Sequence, residues 1–199
     1  MKIHLLRHGQ TDFNVQGRIQ GQRNVPLNST GRQQIEKFCD SHDGGVSEVY
    51  TIILTSPLRR ALESAEICSE RFGISMILES SFAERRFGIM EGMTKQTIYS
   101  RLGIRDVEML QEGDGVESMV DFRERIRDGM AFIVRQYEQE RILIVTHGSV
   151  IRLLCEMFPC IQRWPESSES FTPSTEIIPN GHLVEIDFSL PLLRALQLK

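Results

Sequence analysis

Two apolar runs in this chain stop abruptly at the same pair of residues. Leu5-Leu6-Arg7 runs into His8-Gly9, and Ile144-Val145-Thr146 runs into His147-Gly148. Short runs rich in Leu, Ile and Val, bounded by glycine, have the pattern of strands buried on both faces. A strand buried on both faces needs layers packed above and below it. A polar residue at its end is then placed at the rim of the sheet. In a parallel sheet that rim is where ligands bind. The repeated ending therefore predicts two imidazoles aimed at one cleft.

The rest of the chain supplies the layers. Thr51 to Thr55 is a third strand run, Ile74 to Leu78 a weaker one, and Val184, Ile186 and Phe188 alternate with Glu185 and Asp187 as in a half-exposed strand. Between these lie amphipathic helices. Thr30 and Gln33 match a capping box for a helix reaching about Cys39. Ser56 and Pro57 match an N-cap and a first helical position, followed by a stripe of Leu58, Ala61, Leu62, Ala65, Cys68 and Phe72 that stops at Gly73. Ser118 opens a helix whose apolar face is Met119, Phe122, Ile126, Met130, Ile133 and Tyr137. Val150 to Phe158 is another, ended by Pro159.

Strands alternating with helices predict an α/β fold: a three-layer α/β/α sandwich around a mostly parallel sheet. The 199 residues suit one domain, residues 1–199. Two stretches break the rhythm. Residues of about 80–117 carry glycines and acids without a strand pattern and are expected to form a lid inserted after the third strand. Residues of about 162–181 carry Pro165, Pro173 and Pro179 among serines and are expected to be a surface loop.

Composition excludes several roles. A formal net charge of -4 lacks the basic face that nucleic-acid or membrane-surface binding needs. No apolar run reaches bilayer length. The opening stretch Met1-Lys2-Ile3-His4-Leu5-Leu6-Arg7-His8 meets charge too early for a secretion signal. Cys39, Cys68, Cys155 and Cys160 form no CxxC and are expected to be reduced thiols; a zinc site or a disulfide is the alternative and lacks the usual spacing. A cytoplasmic protein is expected.

Arg7 and an Arg of the Arg59-Arg60 pair bring fork-shaped donors that stay charged, and Gly9 and Gly148 allow close backbone approach. Helix starts after Ser56 and Gly148 favour an anion. The set suits a phosphoryl group. No Walker motif and no paired aspartates at a strand end are present, so a side-chain nucleophile is expected, and a neutral imidazole can serve. No metal and no cofactor are called for.

Leu6-Arg7-His8-Gly9-Gln10-Thr11-Asp12-Phe13-Asn14 resembles the signature of the histidine phosphatase superfamily, phosphoglycerate-mutase-like branch (branch 1). Four further stretches resemble that family in type and order. They are Gly17 to Gly21 with Pro26 to Gly31, Thr55 to Ala61, Phe82 to Gly92, and Val145 to Gly148. The resemblance covers about residues 3 to 152 and extends faintly to Asn180-Gly181. Gln10 replaces the usual Glu, and Phe13 and Met90 stand where Trp is common.

The resemblance implies a catalytic set of His8 as nucleophile, Arg7, Arg60 and His147 around the phosphoryl oxygens, and Glu84 as general acid and then base. It implies substrate contacts from Gly9, Thr11, Asn14, Gln20, Gly21, Arg85 and Gly148. A general acid needs its pKa raised toward neutrality; burial under residues 80–117 favours that, and Arg85 and Arg86 oppose it. Glu91, His182, His4 and His42 are expected to be structural or exposed.

The expected activity is metal-independent hydrolysis of small phosphomonoesters through a phosphohistidine, by a histidine acid-type phosphatase. The alternatives are a cofactor-dependent phosphoglycerate mutase and a non-catalytic phosphate-binding domain. Family mutases carry a longer insertion before the second histidine, and here Glu84 and His147 are 63 residues apart, with eleven residues after Phe188. Arg85 beside Glu84 is mutase-like. Sugar phosphates, phosphoglycerates, phosphoserine and the nucleotide-loop phosphate of cobalamin synthesis all remain open as substrates. Arg101, Arg105 and Lys95 read as a solvated charged face, with a second anionic group as the alternative contact.

Overall fold

The computed structural model describes residues 2–42, 50–106, 109–110, 113–158, 160–161 and 178–187. Strands β1 (Lys2–Arg7), β2 (Ile52–Thr55), β3 (Met76–Leu78), β4 (Ile142–Thr146), β5 (Cys160–Ile161) and β6 (Leu183–Asp187) form one sheet in the order β3-β2-β4-β1-β6-β5. β1, β2, β3 and β4 pair in parallel, and β6 joins β1 and β5 antiparallel. Helices α1 (Asp12–Val15), α2 (Ser29–His42), α3 (Arg59–Phe72), α4 (Lys95–Leu102), α5 (Met119–Gln136) and α6 (Gly148–Met157) complete the described elements. The α/β fold with a mostly parallel sheet expected from the sequence is the fold observed.

Alternate residues of each central strand feed two cores. Ile3, Leu5, Ile52, Leu54, Ile142 and Ile144 pack with Phe122, Ile126 and Met130 of α5 and Val150, Ile151 and Leu154 of α6. Leu6, Ile53, Leu143 and Val145 pack with Ile35 and Cys39 of α2 and Ala61, Ala65 and Cys68 of α3. β2 and β4 are buried at every residue, which is why they read as continuous apolar runs.

Helix boundaries follow local chemistry. Ser118 caps α5 by accepting from Asp121 N–H at 3.0 Å. Gly73 ends α3 in the left-handed conformation, φ 65°. Two expectations need correction. The α2 start is served by Asn28, whose Oδ1 accepts from Gly31 N–H at 2.8 Å, and Thr30 lies inside the helix. α3 begins at Arg59, with no side-chain cap, so Ser56 and Pro57 precede the helix.

The last strand is also different. β6 is not half-exposed: Glu185 is 2% exposed, and its Oε2 lies 3.5 Å from His4 Nε2. His4 Nδ1 is in turn 2.6 Å from the Tyr50 hydroxyl. The alternation reflects a buried polar pair across β1 and β6 rather than solvent. Phe188, Pro159 and the side chains of Cys160 and His42 lie outside the described residues. So do residues 162–177 of the expected surface loop. At its far end Pro179 is exposed, while Ile178 is buried in the α5/α6 core and Asn180 Nδ2 donates to His8 O at 2.9 Å.

Residues 80–117 hold 3₁₀ turns at Ser80–Phe82 and Gly88–Met90 and the helix α4, capped by Thr94 and stopped by Gly103. Their apolar residues Phe87, Ile98, Leu110 and Val116 form a small core with Ile19. No helix among the described residues is long and apolar enough to cross a membrane.

Candidate active site

Strand register brings the polar strand ends together. Arg7 lies opposite Thr146 and Thr55 opposite Val145. His8 N–H then donates to Thr146 O at 3.0 Å, and Ser56 N–H to Val145 O at 3.1 Å. His8, Ser56 and His147 therefore leave neighbouring strands side by side. The His8 and His147 rings are 5.2 Å apart, centroid to centroid.

His8 is almost fully buried. Its Nδ1 is 2.7 Å from Gly9 O, an acceptor only, so Nδ1 carries the proton. Nε2 then presents a lone pair, and it accepts from Arg60 Nε at 3.3 Å. Burial, with Arg60 and Arg7 nearby, holds the imidazole well below its ordinary pKa. His147 is held down likewise by burial first and then by Arg60, His8 and Arg7. Both rings are thus neutral at neutral pH.

Arg60 is clamped by backbone carbonyls. Nη1 donates to Arg23 O at 2.8 Å and Nη2 to Gly21 O at 2.7 Å. Arg7 donates from Nη1 to Ile178 O. Burial brings both guanidinium groups down to about 10, with Glu84 acting in the opposite direction, so both stay charged at neutral pH. Among the described residues, Arg7 Nε and His147 Nδ1 are buried with no hydrogen-bond partner. Buried polar groups without partners are uncommon and mark places where a ligand completes the bonding.

Glu84 is half-buried. Its carboxylate accepts from Arg85 N–H at 2.9 Å and from Ser149 N–H in the first turn of α6 at 3.4 Å. Both neighbouring arginine side chains point elsewhere. Arg86 Nε donates to Gly115 O at 2.9 Å. Arg85 is fully buried, with Nε on Glu117 O at 3.0 Å and Nη2 on Leu110 O at 2.8 Å.

The cleft is lined by Arg7, His8, Asn14, Gln20, Gly21, Arg60, Glu84 and Gly148 of the expected set. His147 is fully buried beside the cleft, its ring 5.2 Å from that of His8. Three expected contacts do not line it. Gly9 is tight because a Cβ there would sit 2.3 Å from Gly31 O, so its small size serves the approach of α2 and not of a ligand. Thr11 is buried, capping α1 and donating from Oγ1 to Gln20 Oε1 at 3.0 Å. Arg85 braces residues 80–117 through carbonyls, as above. Glu91 is structural: its Oε1 accepts from Gln22 and Phe87 N–H, both at 3.0 Å.

Further residues line the cleft that the sequence did not single out as contacts. Arg18, Ile19, Phe87, Asp106, Ser149, Arg152 and Ile178 reach the cleft, as does Lys95. Arg152 Nη1 is 2.9 Å from Asp106 Oδ2. Burial, and Arg7 nearby, lower the Lys95 pKa. Arg101 and Arg105 are exposed. Thr94 caps the start of α4 beside Lys95.

The model of the histidine phosphatase superfamily (branch 1) matches residues 3–189. The chain is 32% identical to the uncharacterized phosphatase PhoE of Bacillus subtilis (strain 168), over 76% of this chain and 74% of that one. It is 32% identical to phosphoglycerate mutase-like protein 4 of Arabidopsis thaliana, over 78% and 70%. A solved mycobacterial glucosyl-3-phosphoglycerate phosphatase in complex with VO3 shares the fold, with a TM-score of 0.79 at 24% identity over 96% of this chain and 93% of that chain.

Proposed function

The chain belongs to the histidine phosphatase superfamily (branch 1), a group whose relatives are named as phosphatases and phosphoglycerate-mutase-like proteins. From that premise we propose that this protein is a metal-independent, histidine acid-type phosphatase that hydrolyses small phosphomonoesters through a phosphohistidine.

The observation that carries this reading is the state of His8. Gly9 O fixes the proton on Nδ1 and leaves the Nε2 lone pair beside Arg60. Nε2 attacks phosphorus in line, the N–P bond forms and the bond to the leaving oxygen breaks. Glu84 supplies the proton that oxygen needs. Water then attacks phosphorus, Glu84 takes its proton, the N–P bond breaks, and neutral His8 and inorganic phosphate are regenerated. Arg7, Arg60 and His147 face the equatorial oxygens, where preformed donors lower the barrier most. Asn14, Gln20, Gly21 and Gly148 line the substrate side.

Hydrolysis is favoured over mutase transfer because Arg85, the mutase-like feature, is occupied by lid carbonyls. Lys95 and Arg152 at the mouth of the cleft support a substrate with a second anionic group on its leaving alcohol. Residues 80–117 act as the lid of a single domain, and the protein works in the cytoplasm.

The test is a panel of phosphorylated metabolites assayed with EDTA present. Phosphate release from at least one, with an acid-labile, base-stable phosphoprotein trapped from wild type and lost in His8→Ala, is the expected result. Activity that needs added divalent metal, or transfer to 3-phosphoglycerate faster than phosphate release, overturns it.

A further inference from the structure

Ser56 is fully buried at the end of β2 and has no place in the chemistry above. Its hydroxyl makes two contacts. Oγ accepts from Leu58 N–H at 3.2 Å, which satisfies a donor just ahead of α3. The same Oγ lies 2.7 Å from His147 Nε2, across 91 residues of sequence. A hydroxyl has one proton to give and two lone pairs. One lone pair is used by Leu58, and among the described residues the acceptor in reach of the hydroxyl proton is Nε2. Were Nε2 protonated, the Ser56 proton would be left in a buried site without an acceptor, which costs more than an ordinary hydrogen bond gains.

The satisfied chain therefore runs from Leu58 N–H to Ser56 Oγ–H to His147 Nε2. A neutral imidazole carries one proton, so it falls on Nδ1. That is the buried ring atom with no partner among the described residues. An N–H there is a donor to an anion; a bare lone pair there would repel one.

We propose that Ser56 is a positioning residue that locks His147 in the Nδ1–H tautomer, so that its free donor meets a phosphoryl oxygen. The benefit to turnover rests on the phosphoryl-transfer reading; the tautomer does not.

The experiment uses the full chain labelled with ¹⁵N-histidine. Long-range ¹H–¹⁵N correlations on the ligand-free protein report which ring nitrogen of His147 is protonated. Wild type is expected to show Nδ1–H alone at neutral pH, and Ser56→Ala a mixture containing Nε2–H. Vanadate and inorganic phosphate are then titrated as inhibitors. Ser56→Ala is expected to lower kcat about 10- to 100-fold and to weaken vanadate by a similar factor, with a smaller effect on phosphate, because the donor matters most where charge is greatest. Nε2–H in wild type overturns the proposal even if Ser56→Ala does not fold, and so does an unchanged tautomer in a folded Ser56→Ala. A tautomer that shifts as expected in a protein that turns over no phosphomonoester upholds the lock and removes the phosphatase reading instead.

Discussion

The ends of β1, β2 and β4 and the segment 80–117 face the same cleft, but they are built to different standards. His8, Ser56 and His147 follow β1, β2 and β4, of which β2 and β4 are buried at every residue and β1 buries Ile3, Leu5 and Leu6 between two helical layers. Glu84, Phe87, Lys95 and Asp106 come from a segment of short turns and one two-turn helix around a core of Ile19, Phe87, Ile98, Leu110 and Val116. His8, the proposed nucleophile, sits at the end of a strand in the large central sheet, where reacting groups are best held in place. Lys95, proposed to meet a second anionic group, sits on the segment that packs around the smaller core.

The sharpest way to break this comparison is to remove the nucleophile from the stiff side. His8→Ala should lower turnover by about 10⁴-fold or more, measured as phosphate release, while the fold persists. Next is packing. Phe122→Ala, in the α5/α6 core, should cost about 3–5 kcal/mol of global stability in urea unfolding. Phe87→Ala, in the small core of the lid, should cost clearly less and raise KM instead. Equal losses of stability would mean that both regions unfold as one unit.

Glu84→Gln should slow alkyl phosphomonoesters by about 10²-fold or more and p-nitrophenyl phosphate far less, since p-nitrophenolate leaves without a proton. Equal losses would make Glu84 a binding group. A smaller effect is on pH dependence. His8 and His147 both have lowered pKa values in the folded state. Below the unfolded value of about 6.5 the unfolded chain binds protons that the native chain does not, so stability falls as pH drops through that point. Each imidazole contributes a slope of up to about 1.4 kcal/mol per pH unit, and thermal unfolding of His8→Ala should lose one share of it. The smallest expected change is Lys95→Met, which should weaken substrates with a second anionic group by about 5-fold and leave p-nitrophenyl phosphate unaffected.

Much of the site was legible because its residues are pinned to strand ends. A run such as Ile144-Val145-Thr146-His147-Gly148 states both its burial and where it stops, and that is local information. Position alone left Arg59 and Arg60 open; the family resemblance selected Arg60, and the fold buries Arg60 while Arg59 is exposed. Gly9, Thr11 and Arg85 do not line the cleft, because sequence proximity to His8 or Glu84 does not state which way a residue faces. Thr11 turns to Gln20, Gly9 packs against Gly31 and Arg85 reaches Glu117 O. Neighbours along an extended chain point to opposite sides.

By itself the sequence determined the layered α/β class, the helix stripes, the Gly73 stop and the pairing of two His-Gly strand ends. All of these follow from periodicity and backbone preference within a few residues. Tertiary structure alone decided the strand order β3-β2-β4-β1-β6-β5, the antiparallel entry of β6 and the burial of Glu185 against His4. It alone brought Arg152 to Asp106 and Ser56 to His147. Those contacts join residues tens of positions apart, and their partners are chosen by which strands neighbour one another. No window of the sequence holds both members, so only the folded sheet can select them.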